Sequence, residues 1–114
     1  MTNTVSVSKE FKKDAKDLVK KFHTLKQSVD KLISDLIENP YLGNPYGNKI
    51  YKVRLADKSK GGGKSGGFRI MYYHLNQTVD GIEILLLTIF DKSEKSTITK
   101  TEALKKLNKI LDEM

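Results

Sequence analysis

Apolar positions in this 114-residue chain follow two periods, and the switch between them separates a helical first part from a β-rich second part. Thr4 to Val7 alternate, with Val5 and Val7 on one side, which predicts a short strand. Ser8 is placed to cap a helix. From Lys9 onward, Phe11, Ala15, Leu18, Val19 and Phe22 lie on one helix face, while Lys12, Lys13, Lys16, Lys20 and Lys21 populate the rest. Leu25, Val29, Leu32, Ile33, Leu36 and Ile37 repeat the pattern. They predict a second helix from near Thr24 that ends before Asn39-Pro40, because a residue preceding proline is pushed out of α geometry. Two helices in tandem are expected to form an antiparallel hairpin.

Pro40 to Asn48, PYLGNPYGN, is dense in turn formers and reads as an ordered loop between the helical and β parts. Ile50 to Leu55 then alternates Tyr51, Val53 and Leu55 against Lys52 and Arg54, a half-buried strand with a cationic polar face. Phe68 to Leu75 is the next strand. Gly81 to Phe90, GIEILLLTIF, is so continuously apolar that it belongs in the middle of a sheet with both faces at least partly covered. Loops too short for crossover helices join these three strands, so an antiparallel sheet is expected. After the polar stretch Asp91 to Lys100, Thr99 or Thr101 can cap a last helix, whose stripe comprises Ala103 or Leu104, Leu107, Ile110 and Leu111.

Length adds that residues 1–114 suit one domain with a core of its own. There is no cysteine, which removes disulfides, thiolate zinc sites and cysteine nucleophiles and suits a reducing, cytoplasmic setting. MTNTVSVSKEF lacks the basic-then-apolar order of a secretory leader, and no apolar run is long enough to span a bilayer, so no membrane partner is expected. His23 and His74 stand alone, and neither a metal nor another cofactor is assigned.

Charge narrows the class of partner. The formal net charge is +7 and the isoelectric point about 9.5, which favours a polyanion. Cations gather in three places: Lys52 and Arg54 on one strand; Lys58, Lys60 and Lys64 in the glycine-rich stretch KSKGGGKSGGFR, with Arg69 behind them; and Lys92 and Lys95 past the central strand. The glycine-rich stretch reads as a mobile basic loop, while Arg69 opens a strand, where a planar fork on a rigid base can grip a phosphate. Neither a Ser-His-Asp set nor a paired-carboxylate spacing is present, so conventional hydrolase chemistry has no support.

The run KSGGFRIMYYHL, then EILLLTIFDKSEKSTI, then a Lys- and Leu-rich helix resembles the RelE/HigB family of type II toxin–antitoxin toxins, which cut messenger RNA on the ribosome. The pattern covers most of the chain, including GNKIYKVRLA. This resemblance implies an α+β fold in which two N-terminal helices pack on a small curved antiparallel sheet, with a C-terminal helix. It also implies a metal-independent endoribonuclease that uses the substrate's 2′-hydroxyl as nucleophile. Such an enzyme must activate that hydroxyl, offset charge growing on the phosphate and protonate the leaving 5′-oxygen.

By that resemblance Arg69 serves the phosphate, Lys64 or Lys60 is the base, and Lys92 or Lys95 the acid; neighbouring cations raise a lysine's neutral fraction. Lys52, Arg54, Lys58 and Lys60 are expected to hold RNA. Ser93 and Thr97 to Thr99 stand where some members carry an arginine and a base-stacking tyrosine, and Tyr73 is given no role. The implied partners are a cognate antitoxin, in a possible hetero-oligomer, and the ribosome with its message. The competing expectation is a non-catalytic basic RNA-binding module regulated by an acidic protein.

Overall fold

The computed structural model describes residues 2–60, 67–94 and 98–114. In chain order these form β1 (Thr4–Val7), α1 (Lys9–Lys21), α2 (Leu25–Glu38), β2 (Asn44–Pro45), β3 (Ile50–Leu55), a 3-10 turn at Lys58–Lys60, β4 (Phe68–Thr78), β5 (Gly81–Asp91) and α3 (Lys100–Asp112). The strands make one sheet in the order β1-β5-β4-β3-β2. As expected, β3, β4 and β5 are antiparallel neighbours and β5 is interior. The sheet is nevertheless mixed, because β1 pairs in parallel with β5, Thr4 opposite Glu83 and Val7 opposite Leu86. A parallel pair needs a long connection, and everything from α1 to β4 supplies it.

α1 and α2 cover one face of the sheet, where Phe11, Leu25, Val29, Leu32 and Leu36 pack with Val53, Leu55, Phe68, Ile70, Tyr72, Ile84 and Leu86. On the opposite face α3 and Ile98 close over Ile50, Met71, Leu85, Leu87 and Phe90. Burying a side chain such as Leu25 or Leu36 stabilises by about 1.5–3 kcal/mol, which is why both faces of β5 read as apolar in sequence.

Local chemistry sets the helix boundaries. Ser8 Oγ accepts from the Phe11 N–H at 3.0 Å, starting α1, and donates to the Leu87 carbonyl at 3.3 Å, so one hydroxyl caps the helix and ties it to β5. For α3 the cap is Thr99, in a reciprocal capping box with Glu102. The two tyrosines of β4 face opposite ways. Tyr72 is fully buried, donating to the Pro40 carbonyl at 3.0 Å and accepting from the Gly43 N–H at 2.8 Å, and burial pushes its pKa up to about 12. Beyond Leu75 the chain continues through polar, exposed residues to Thr78, giving β4 a longer hairpin with β5 than its apolar run indicates. Register shifts between Met71 and Tyr72, and between His74 and Asn76, bend that pair.

Candidate nucleic-acid interface

On the face that carries α3, the helix packs over one end of the sheet. Ile50, Lys52 and Arg54 share this face of β3, and their partners across β4 are Tyr73, Met71 and Arg69. Ile50 and Tyr73 lie toward α3, Arg54 and Arg69 lie toward the other end with Phe90 beside Arg69, and Lys52, opposite Met71, lies between them. Two strands that alternate in register therefore convert a periodic sequence into a polarised surface.

Arg69 sits at the centre of this end. Arg54 is its direct partner on β3 and Phe90 its partner on β5, and it is only 4% exposed. Its Nη1 donates to the Phe68 carbonyl at 3.1 Å. Burial, reinforced by the facing Arg54 guanidinium, lowers the Arg69 pKa from its ordinary value, yet an arginine starts so high that it stays cationic at neutral pH. Like charges set opposite one another across two strands cost stability.

Gly67 permits this geometry. A Cβ there would come within 2.4 Å of the Leu55 carbonyl oxygen, so only glycine lets β4 begin this close to β3. The Gly67 carbonyl also accepts from the Lys92 N–H at 3.2 Å, which anchors the turn after β5 beside the start of β4. Lys92 is half-buried there.

Of the cations singled out in the sequence, Lys52, Arg54 and Arg69 share one face, and the Lys92 backbone joins them at its edge. Lys58 is exposed in a turn whose preceding residue, Asp57, is tied to the other side of the sheet. Lys60 is placed by its backbone alone, and Lys64, Lys95 and the glycine-rich loop from 61 to 66 lie outside the described residues. Asp57 itself is buried and accepts from Thr24 Oγ1 at 2.7 Å, from Ser28 Oγ, and from the Ser59 N–H at 3.1 Å and its hydroxyl. Burial works to raise its pKa, but the hydrogen bonds from Ser28, Ser59 and Thr24 together outweigh this and lower it.

Two residues of this face, Tyr46 and Lys100, carry no signal in the sequence. Tyr46 lies beside Ile50, its N–H donating to the Ile50 carbonyl at 2.8 Å, and the ammonium groups of Lys52 and Lys100 stand 4.9 and 5.9 Å from its ring centre. Nothing in PYGN distinguishes a turn tyrosine from a site tyrosine; only the fold of the β2–β3 turn brings it round. That turn is costly, with Asn48 and Lys49 at φ of 52° and 65°, left-handed values that cost a side-chain-bearing residue roughly 1 kcal/mol each.

Among the described residues, no group of three or more His, Cys, Asp or Glu side chains could hold a metal ion. His74 is buried, its Nε2 2.8 Å from the Pro40 carbonyl and its ring stacked on Tyr51, a structural placement. Between α2 and β3 a cleft of about 480 Å³, lined by Lys31, Leu32, Asp35, Leu42 and Val53, meets the cationic face only through Lys52 and Arg54.

No protein-family model matches the chain. Among solved structures it is similar to the free state of a mutant E. coli toxin RelE in which two arginines are replaced by alanine. The match has a TM-score of 0.59 and 16% identity, and covers 94% of this chain and 99% of that one. With two helices on one face of a mixed five-stranded sheet and a single helix on the other, the chain has a RelE-like fold.

Proposed function

We propose that this protein is the toxin of a type II toxin–antitoxin pair, an endoribonuclease that cuts messenger RNA on the ribosome. The observation that carries this reading is the pair of facing arginines, one exposed and one buried, where β3 ends and β4 begins. Repulsion between them is relieved by a phosphate, and more so as negative charge grows on that phosphate during attack by the adjacent 2′-hydroxyl. Arg69 is the preorganised donor, held by β4 and flanked by Phe90. Lys92, whose backbone is anchored beside the start of β4, is assigned as the acid that protonates the leaving 5′-oxygen. Lys64 or Lys60 as base and Lys95 as alternative acid belong to the same proposal. The fold similarity supports the toxin class, and the cationic face supports RNA as substrate.

Single-turnover cleavage of ribosome-bound message tests it. Arg69→Lys keeps the charge but loses the planar fork, and the rate should fall roughly a hundredfold or more, the scale of removing one preorganised charge-stabilising donor. Lys58→Ala, away from the pair, should change binding only mildly. Equal rates for the two variants, or naked RNA cut as fast as ribosome-bound message, would sink the assignment. Wild-type protein that binds message without cutting it would put a non-catalytic RNA-binding module in its place.

A further inference from the structure

We propose that Tyr46 is the nucleobase platform of this face: a base close in sequence to the phosphate held by Arg54 and Arg69 stacks on its ring. The inference rests on the RNA-binding part of the proposed function, but not on cleavage.

Three observations point to it. Tyr46 is half-buried at the margin of the α3-side core, and it lies on the same face as Lys52 and Arg54. Two steps of alternate residues separate its row from that of Arg54 and Arg69, roughly 14 Å along the strand, within reach of one short stretch of single strand. Its ring is also held from two elements. The backbone N–H bonds Ile50 of β3, and the hydroxyl donates to the carbonyl of Ile98, a buried residue just before α3. A ring already fixed in place loses little freedom when a base settles on it.

The cations around the ring complete the argument. Lys52 and Lys100 place their ammonium groups near it, and neither takes part in an ion pair among the described residues. An exposed lysine–aromatic contact is weak, and base–aromatic stacking is stronger. A nucleotide offers both groups a better arrangement: its base takes the ring face and its phosphates draw the ammonium groups aside. Lysine and tyrosine thus form a site for base and backbone together, indifferent to base identity because every base has a π face.

A single-stranded RNA carrying 2-aminopurine, with 2′-O-methyl groups that prevent cleavage, tests the platform by fluorescence quenching. Wild type and Tyr46→Phe, which keeps the ring, should quench on saturation. Tyr46→Leu should not, and should bind roughly tenfold or more weakly. Quenching by Tyr46→Leu equal to wild type would overturn the proposal. So would equal loss in Tyr46→Phe and Tyr46→Leu, which would assign the residue to holding Ile98 alone. A measurement on unmodified protein guards against a misfolded variant: photocrosslinking to 5-iodouridine RNA should map to Tyr46, and a map without it also overturns the proposal. Quenching by a wild type that never cuts message would retire the nuclease reading and leave the platform standing.

Discussion

At the scale of single residues the cationic face joins groups that disfavour one another. Arg54 and Arg69 oppose each other, and Arg69 is buried beside Phe90. Arg54→Ala should therefore leave stability unchanged or raise it by about 0.2–1 kcal/mol, since a like-charge cross-strand pair is lost. The same change should weaken RNA binding and reduce the slope of log affinity against log salt by about one, the signature of one phosphate contact. Urea unfolding and binding titrations across a salt series check both. A variant that was both less stable and bound RNA as well as wild type would show that Arg54 supports the fold rather than the ligand. Sequence could place these two arginines on strands, but their confrontation depends on register, which residue periodicity does not encode. Asp57 was hidden for a similar reason, because Thr24 and Ser28 reach it only after α2 has packed on the sheet.

Elements were more legible than residues. Phe11 and Leu25 announce the two helices, and GIEILLLTIF announces an interior strand, because core-facing positions must be apolar at the period of the element that carries them. β2 was illegible: Asn44 and Pro45 form a strand only because β3 is there to pair with. The pairing of β1 with β5 was also beyond periodicity. At this scale Asp57 matters most, since it joins the beginning of α2 to the turn after β3. Its folded-state pKa lies below the ordinary 3.8, so its contribution is complete above that value and is lost as pH falls through the lower folded value. Asp57→Asn should cost about 1–3 kcal/mol at neutral pH by disrupting buried hydrogen bonds. The gap between variant and wild type should shrink in acid. Denaturant midpoints for both at neutral pH and in acid below the ordinary 3.8 provide the comparison, and a gap that stayed constant would remove Asp57's ionisation from the account.

Considered as a whole, the molecule presents charge unevenly. On α2, Lys26 and Lys31 are paired with Asp30 and Asp35, and Lys21 at the end of α1 with Glu94. Lys12, Lys13, Lys16 and Lys20 of α1 make no ion pair among the described residues, so both α1 and the cationic face contribute to the field. On the proposed reading, the antitoxin fitted to this protein should be acidic, at least in the segment that covers the cations, and its association should slow steeply as salt rises. Stopped-flow rates at low and high salt check this, and rates independent of salt would argue against steering. The placement of β1 has a consequence for how the protein comes into being. Its partner is the last of the described strands to be made, and Asn3, whose side chain bonds both the Ile37 carbonyl and the Ile82 N–H, waits for the same event. During synthesis the first residues therefore remain without a sheet while both helices emerge. A polypeptide interrupted before Gly81 lacks β5, and with it the Phe90 side chain beside Arg69 and the turn that joins Lys92 to Gly67, so an unfinished copy carries the β3–β4 cations without the strand that borders them.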